Sequence, residues 1–245
     1  MIDIKVPYTT RPMMQRRSGP AFRVPASVNH MEAKAAELAA WSDQITAQIN
    51  DDHTGNLVQQ AALHCGKPAT ASIQQLAMHF QEDIAIMHCG RLQAVCFCFP
   101  SGWIPAQRLG ATLAEIHQPV ADGADLVRMS ARLTDIMADV TLGGFRRQVW
   151  TLTANSALSN LPGRSAVPEP RSLAELYLRW ETQTTEPLGD GQTSLFFVDV
   201  NVVPLQSVWA ELGQRICQSV NSMSESVLAY KNLTQIKTLL NGGIT

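Results

Sequence analysis

A single histidine at the end of a short helix-like segment is the first residue whose position suggests chemistry. His117 follows an apolar, cysteine-bearing run at 96–100 and a segment of helical character, and it precedes Gln118 and Pro119. Because a proline restricts the residue before it to extended backbone, the predicted helix ends close to His117. An imidazole at such a position either caps and packs, or is a ligand for a group held against the neighbouring strands.

A row of polar side chains in a strand-like segment is the second candidate. Arg179 and Glu181 alternate with Trp180, and Gln183 continues their side, so in a strand the three polar residues share one face. Burying such a row without partners is costly. The row therefore lines either a pocket, where Glu181 receives a substrate ammonium and Arg179 pairs with a carboxylate, or a solvated strand face with cross-strand charge pairs.

The remaining sequence features give no further strong candidate for a catalytic or metal site. The chain has no GxGxxG, GxSxG or HExxH motif and no phosphate-binding P-loop, so nucleotide and hydrolase chemistry lack their usual supports. Cys96 and Cys98 would share one face of a strand, but no further ligands stand at metal-site spacing, and buried cysteine is common in cores. We expect structural roles for His64, His79 and His88.

The bulk composition limits the classes of partner. The chain has 245 residues, 45% of them hydrophobic and 16% charged, with a net charge of −2 and no basic run longer than a pair. We therefore expect no nucleic-acid binding. No window approaches 18 consecutive apolar residues, so we expect no membrane span. Five cysteines without a CxxC pair, and a start that lacks the apolar core of a secretory signal, predict a cytoplasmic protein with free thiols.

The order of predicted elements indicates an α+β fold. We expect one domain over 1–245, with an N-terminal arm and helices at 1–80 and a core with C-terminal helices at 81–245. Helical spacing is present at 31–49, 56–64, 71–80, 105–117 and 208–240. Strand character is present in two runs within 83–100, separated by a turn at 89–91, and at 145–154 and 194–205, with a long loop at 155–172.

Four stretches, in this order, resemble one known family. They are FPSGWIPAQRLGATLAEIHQPV at 99–120, RRQVWTL at 146–152, LRWETQTTEPLGDGQTSLFFVDVNVVPL at 178–205 and AYKNL at 229–233. Together they are similar to the haem-dependent oxidative N-demethylase-like family, whose pattern contains FPS-x-W, IH-x-PV, Arg-x-Asn-Trp, Arg-x-Glu-x-Gln-Thr and a late Tyr-Lys. The resemblance covers about 82–240. It departs from the pattern where Val149 replaces the Asn and where TEPLGD follows the strand motif, and the chain is shorter than typical members.

The resemblance implies a haem site. It implies a PAS-like antiparallel sheet with N-terminal and C-terminal helical layers, haem b between the sheet and a helix, and His117 as the axial iron ligand. By the same resemblance, Trp103, Arg147 and Trp150 contact the cofactor, with Arg147 or Arg179 available to a propionate. Both tryptophans are equally compatible with core packing.

The resemblance also implies an activity. It predicts a haem-dependent monooxygenase that uses O2 and external electrons to oxidise an amine by N-demethylation or a related reaction, with Glu181 and Arg179 as catalytic residues. Electrons would come from NAD(P)H through a reductase partner that carries flavin and an iron–sulfur centre. Two alternatives remain open at this stage, a haem-binding PAS-type sensor without turnover and a scaffold subunit, as do the role of Tyr230 and Lys231 and the homo- or hetero-oligomeric state.

Overall fold

A computed structural model describes residues 2–164 and 168–242 of the protein. It shows one antiparallel sheet with helices around it. Seven strands lie in the order β1-β5-β6-β7-β3-β4-β2, and every neighbouring pair is antiparallel. The strands are β1 Gln15–Arg16, β2 Thr46–Gln48, β3 Asp83–His88, β4 Arg91–Cys96, β5 Phe145–Thr153, β6 Tyr177–Pro187 and β7 Thr193–Pro204. The α+β prediction is therefore confirmed.

Eight α-helices and two short 3₁₀ helices are present in the described residues. The α-helices are α1 Val28–Ile45, α2 Asp52–His64, α3 Ile73–Ala77, α4 Leu113–His117, α5 Ala124–Ala138, α6 Leu205–Asn221, α7 Glu225–Tyr230 and α8 Thr234–Gly242. The 3₁₀ helices are Pro105–Arg108 and Leu173–Glu175. No helix within residues 2–164 and 168–242 is long and apolar enough to cross a membrane.

The long strands β6 and β7 form the centre of the sheet because their sequences favour extended structure. β7 is rich in Val and Phe, which pack well on a pleated surface, and it pairs with β6 over eleven residue pairs. A tight turn precedes β7, where Asp190 accepts hydrogen bonds from the backbone N–H groups of Gln192 and Thr193. The sequence therefore specifies this hairpin locally.

Two sets of apolar contacts stabilise the sheet from different ends. One contains β3, β4 and part of β7 together with α1, α2 and α3, with Ile84, Ile86 and Phe197 fully buried. The other joins β5 and β6 to the C-terminal helices and to Ile4 of the N-terminal arm. The strands that carry the candidate residues thus stand on packed elements, which fixes their side-chain directions.

The predicted helix over 105–117 is wrong as a single helix. The chain makes a 3₁₀ turn at Pro105–Arg108, passes Gly110 at a φ of +77°, and begins α4 only at Leu113. Between the two helices, the N–H of Gly110 donates to the carbonyl of Leu92, and Thr112 bridges to Arg91. Tertiary pairing with β4 therefore interrupts the helical pattern.

The other predicted helix and strand boundaries lie closer to the observed ones. The helix predicted over 31–49 begins at Val28 and ends at Ile45, because Thr46–Gln48 instead pair with the edge of β4. The predicted strand at 145–154 corresponds to β5, and the predicted helical C-terminus to α6, α7 and α8. The loop predicted at 155–172 includes 165–167, which lie outside the described residues.

Candidate functional site

Pairing of β5 with β6 assigns the candidate residues to the two faces of the sheet. Residues paired directly across an antiparallel ladder share a face, and successive residues alternate. Arg147 pairs with Gln183, and Val149 pairs with Glu181, so these side chains belong to one face, here called the site face. Arg179, two residues before Glu181, belongs to the same face.

His117 is the last residue of α4, and its ring is fixed by that helix. Thr112 and Glu115 form a capping box that fixes the first turn of the helix. Within the helix, Nδ1 of His117 lies 2.9 Å from the carbonyl oxygen of Leu113. A carbonyl only accepts, so Nδ1 carries the proton and donates it, which leaves the Nε2 lone pair free in the neutral ring.

The protonation state of His117 follows from its surroundings. The pKa of His117 is lowered to about 4, first by burial and then by the positive charge of Arg147, while the hydrogen bond to Leu113 works in the opposite direction. The imidazole is therefore neutral near pH 7. The guanidinium of Arg147 is thus within electrostatic reach of the imidazole.

The other histidines with hydrogen bonds are used inside the protein. Nε2 of His30 lies 2.9 Å from the carbonyl oxygen of Val200, and Nδ1 of His88 lies 2.8 Å from Oγ1 of Thr193. His64 approaches Glu186, and His79 is exposed. Within residues 2–164 and 168–242, no group of three or more His, Cys, Asp or Glu side chains is placed to hold a metal ion.

Arg147 connects His117 to the polar row. Its Nε donates to Oε1 of Gln183 at 2.6 Å. Burial lowers the pKa of Arg147, and the nearby Glu181 and Tyr8 raise it, so both groups lie within electrostatic reach of the guanidinium. Its terminal nitrogens make no hydrogen bond within the described part of the chain, which leaves them available to an anion.

Glu181 stands at the centre of a hydrogen-bond network. Its Oε1 accepts a hydrogen bond from Oγ of Ser101 at 2.5 Å, and its Oε2 accepts one from Nε2 of Gln183 at 2.8 Å. Arg179 lies 3.8 Å away as an ion-pair partner. The side chain keeps 15% of its exposure. Because each carboxylate oxygen has a second lone pair, Glu181 can still accept a hydrogen bond from a ligand.

The guanidinium of Arg179 donates its hydrogen bonds to other groups of the protein. The side chain is 2% exposed, and Nη2 donates to the carbonyl of Phe99 and to Oγ of Ser101, both at 2.9 Å. Nε reaches the same hydroxyl at 3.2 Å, and Nη1 donates to the carbonyl of Leu158. All three nitrogens have acceptors, so Arg179 fixes the loop that presents Ser101 to Glu181.

Trp103 is half-buried beside the site face. Its ring meets that of Phe97 edge-on at 5.6 Å, and Phe97 stacks with Phe196 at 6.4 Å. Phe196 pairs with Thr185, which belongs to the site face by alternation from Glu181. Together with the half-buried Leu113 and Ile116 of α4, these rings make an apolar surface next to His117.

Trp150 lies apart from the other predicted site residues. It pairs directly with Trp180, on the sheet face opposite to Arg147 and Glu181. There it is 7% exposed and packs among residues of the C-terminal core. The period of two along β5 dictates this placement, since three residues separate Arg147 from Trp150. The Trp150 side chain is therefore a core residue, away from the site face.

The fold brings three further residues to the site, of which sequence reasoning left Lys231 open and singled out neither Ser101 nor Tyr8. Ser101 belongs to the FPS-x-W stretch, but only the structure shows that it joins Arg179 to Glu181. Lys231 donates to the carbonyl of Trp150 at 2.8 Å and lies 5.4 Å from the ring centroid of Tyr8. Burial raises the pKa of Tyr8 to about 12. Tyr8 lies in the N-terminal arm, where no local signal marks it.

A separate cavity lies on the opposite face of the sheet. It has a volume of about 440 Å³ and is lined by residues 20–25 of the arm together with Glu82, Arg146, Thr182 and Asp199. Thr182 and Arg146 alternate with Glu181 and Arg147, so this cavity is separated from His117 by the sheet. It is not part of the candidate site.

The donor set on the site face fits a haem. An iron held by a macrocycle needs one or two protein ligands, and a neutral imidazole with a free Nε2 and an anchored Nδ1 suits that role. The apolar side chains of Trp103, Leu113 and Ile116 suit a flat hydrophobic ligand, and the terminal nitrogens of Arg147 suit a carboxylate on its rim.

Comparison with known proteins gives the family. The family model described as "Haem-dependent oxidative N-demethylase, alpha subunit-like" matches residues 34–240, which is most of the chain. No curated protein matches the chain. The stretch that matches contains α4, β5, β6 and the Tyr230–Lys231 turn, and hence nearly all of the site described above. The chain belongs to the family of proteins that are like the alpha subunit of haem-dependent oxidative N-demethylase.

Proposed function

We propose that the protein is the catalytic subunit of a haem-dependent monooxygenase that oxidises an amine. Its sheet and helices would form one domain with a PAS-like arrangement, and haem b would lie between the site face and α4. His117 Nε2 would be the axial ligand of the iron. The observation that carries this proposal is the neutral, anchored imidazole beside Arg147 on the face that also holds Glu181.

The residues around the proposed cofactor have distinct tasks. Leu113 keeps the proton on Nδ1 of His117 and thereby fixes the ring and its tautomer. Arg147 offers terminal nitrogens to a propionate, and Trp103 offers an aromatic wall that excludes water. When bound, the haem supplies the activation of O2, a chemistry that no side chain can perform.

Glu181 is the proposed amine site. A substrate ammonium would donate to the lone pairs that Ser101 and Gln183 leave open on the carboxylate. Arg179 would act as a positioning residue, because its nitrogens hold the Phe99 and Leu158 carbonyls and the Ser101 hydroxyl. Such a pre-arranged carboxylate orients the substrate without the cost of ordering a free side chain.

The reaction needs electrons that the chain does not supply. For N-demethylation, a secondary methylamine, O2, two electrons and two protons give a primary amine, formaldehyde and water. We propose that NAD(P)H provides the electrons through a separate reductase with flavin and an iron–sulfur centre. The described residues carry no cluster of cysteines that would hold such a centre themselves.

The first test is spectroscopic. The purified protein is mixed with haemin, and absorbance spectra are recorded before and after dithionite and then carbon monoxide. We expect a stoichiometric Soret band that shifts on reduction and shifts again with carbon monoxide, which requires an iron with an open position. A folded protein that takes up no haem would contradict the proposal.

Turnover is tested on the loaded protein. A panel of secondary and tertiary methylamines is incubated with O2 and a reductase or chemical electron donor, and formaldehyde and amine products are measured. Amine-dependent formaldehyde release is the expected result. A protein that binds haem and carbon monoxide but produces neither formaldehyde nor an oxidised amine would instead favour a sensor or carrier.

A further inference from the structure

Lys231 brings an ammonium group to the site from a distant part of the chain. It follows α7, and its side chain is half-buried with the ammonium turned onto β5. Nζ donates to the carbonyl oxygen of Trp150 at 2.8 Å and lies 5.4 Å from the centroid of the Tyr8 ring. The N-terminal arm, β5 and the C-terminal helices therefore converge on this one group.

The contacts of Lys231 leave it short of a negative partner. An ammonium has three N–H donors. One N–H of Lys231 donates to the carbonyl of Trp150, and the cation lies over the aromatic ring of Tyr8. Burial lowers the pKa of Lys231 to about 8, while the negative charge of Glu181 raises it. At neutral pH the group is thus largely charged, and a charge shielded from water calls for an anion.

Glu181 does not serve as that anion by direct contact. Its two oxygens accept from Ser101 and Gln183, and its nearest cation is Arg179 at 3.8 Å. No ion pair within 4.0 Å joins Lys231 to any carboxylate in the part of the chain that the structure describes. Three cations, Arg147, Arg179 and Lys231, therefore surround one carboxylate.

Arg147 also has hydrogen-bond donors without an acceptor among the described residues. Only its Nε has a hydrogen-bond acceptor in the part of the chain that the structure describes. Its positive charge lowers the pKa of both Tyr8 and His117. The phenol of Tyr8 is thus within electrostatic reach of Arg147, and its ring centroid lies 5.4 Å from Nζ of Lys231, so both cations act on one phenol. Two cations with spare donors converge on one region.

We propose that Lys231 and Arg147 together bind a carboxylate, and that the carboxylate belongs to the ligand of this site. This inference rests on the proposed function, and it assigns Lys231 a direct ligand contact. Two ligands carry the required chemistry, namely the haem through a propionate and the amine substrate through a carboxylate of its own. Charge-assisted hydrogen bonds from two cations give such a group both affinity and orientation.

The test compares ligands that differ only in the carboxylate. Binding of haemin and of haemin dimethyl ester is measured by Soret titration and tryptophan quenching for wild type, Lys231→Met and Lys231→Arg. Lys67→Met is the matched control, because Lys67 also lies over aromatic rings, those of Phe22 and Phe80 in the other core. Circular dichroism and urea unfolding establish that each variant is folded.

If the bound carboxylate is a haem propionate, the affinities for haemin and its ester should differ as follows. Wild type then binds haemin more tightly than its ester, Lys231→Met loses about tenfold or more in affinity for haemin and little for the ester, and Lys231→Arg restores the preference. Lys67→Met behaves like wild type. The Arg variant keeps the test decisive if the Met variant does not fold.

If the bound carboxylate belongs to the amine substrate, the variants should differ in their affinity for the amines and not for haemin. Haemin and its ester then bind alike to all variants, and the haem-loaded protein is titrated with N-methylglycine and with N-methylethylamine, which lacks the carboxylate. Lys231→Met weakens the spectral response to N-methylglycine about tenfold and leaves the response to N-methylethylamine unchanged.

Two results would overturn the inference, and they are distinguishable. If Lys231→Met changes neither pair of ligands selectively while wild type binds haem, Lys231 is a structural residue and the proposed function stands. If wild type binds no haemin at all, the proposed function fails and the inference fails with it.

Discussion

Nδ1 of His117 and the carbonyl oxygen of Leu113 lie 2.9 Å apart within the single short helix α4. This one hydrogen bond fixes which ring nitrogen holds the proton and which way the ring faces. A histidine that merely packed in a core would gain from the same bond, but here the positive charge of Arg147 also acts on the imidazole, and the neighbouring Ile116 belongs to the same apolar cluster as the half-buried Trp103.

Replacement of His117 by alanine is expected to remove haem binding and leave the fold intact. The hydrogen bond of the His117 side chain lies within its own helix, so the variant should remain folded. Affinity for haemin should fall by more than the roughly 10- to 100-fold typical of losing a group that only orients a ligand. Soret titration measures it, and added imidazole should restore part of the binding.

The control for that change is the exposed His79. His79→Ala should bind haemin like wild type. An unchanged Soret band in His117→Ala would show that another residue is the axial ligand.

Replacement of Glu181 by glutamine is expected to weaken amine binding by about 10- to 100-fold, since a hydrogen bond to a charged group contributes about 1.5–3 kcal/mol. The amide keeps one acceptor for Ser101 or Gln183 but loses the negative charge that receives an ammonium. Spectral titration of the haem-loaded protein with a methylamine measures the effect. Haemin affinity should stay the same, as should both affinities in the exposed control Glu211→Gln. Equal losses of haemin and amine would indicate a structural role.

Arg179→Lys is expected to lower the free energy of unfolding by about 3–5 kcal/mol, even though the charge is kept. A lysine cannot satisfy the Phe99 carbonyl, the Leu158 carbonyl and the Ser101 hydroxyl together, because its donors do not form a planar fork. Urea unfolding of the haem-free protein measures the change. The exposed Arg171→Lys should lie within about 0.5 kcal/mol of wild type. A similarly small effect at Arg179 would mean that its contacts contribute little.

The stability of the haem-free protein should depend on pH through Lys231. Its pKa is about 8 when folded and has an ordinary value of 10.5, so between these values the unfolded chain binds more protons. The contribution of Lys231 to the unfolding free energy therefore increases as pH rises from about 8 to 10.5, and it is lost as pH falls through 8.

The comparison with Lys231→Met isolates that contribution. The groups that influence Lys231 are Glu181 and the ring of Tyr8, and both remain in the variant. The difference in unfolding free energy, wild type minus variant, should increase across this pH window and be flat between pH 6 and 7. A difference that is constant up to pH 10.5 would show that the ammonium is freely solvated.

Local sequence rules were sufficient for several features of the site. The alternation of Arg179, Trp180 and Glu181 predicted their division between two faces, and β6 has that arrangement because a strand has a period of two. Pro119 predicts the end of the helix near His117, and α4 ends there, but Gln118 keeps helical backbone angles (φ −51°, ψ −36°). The N–H that a proline lacks, and not an extended residue before it, therefore accounts for the end of the helix. The same alternation, applied to β5, separates Arg147 from Trp150, so the placement of Trp150 was also readable from the sequence.

Only the tertiary structure decided which groups meet. Ser101 and Arg179 are 78 positions apart, and Trp150 and Lys231 are 81 apart, yet each pair is joined by a hydrogen bond. Periodicity specifies a direction within one element and carries no information on which distant segment will pack against it. The sequence thus determined the family and the faces of the strands, while the packing of the arm and the C-terminal helices determined that Lys231 lies over the ring of Tyr8 and donates to the carbonyl of Trp150.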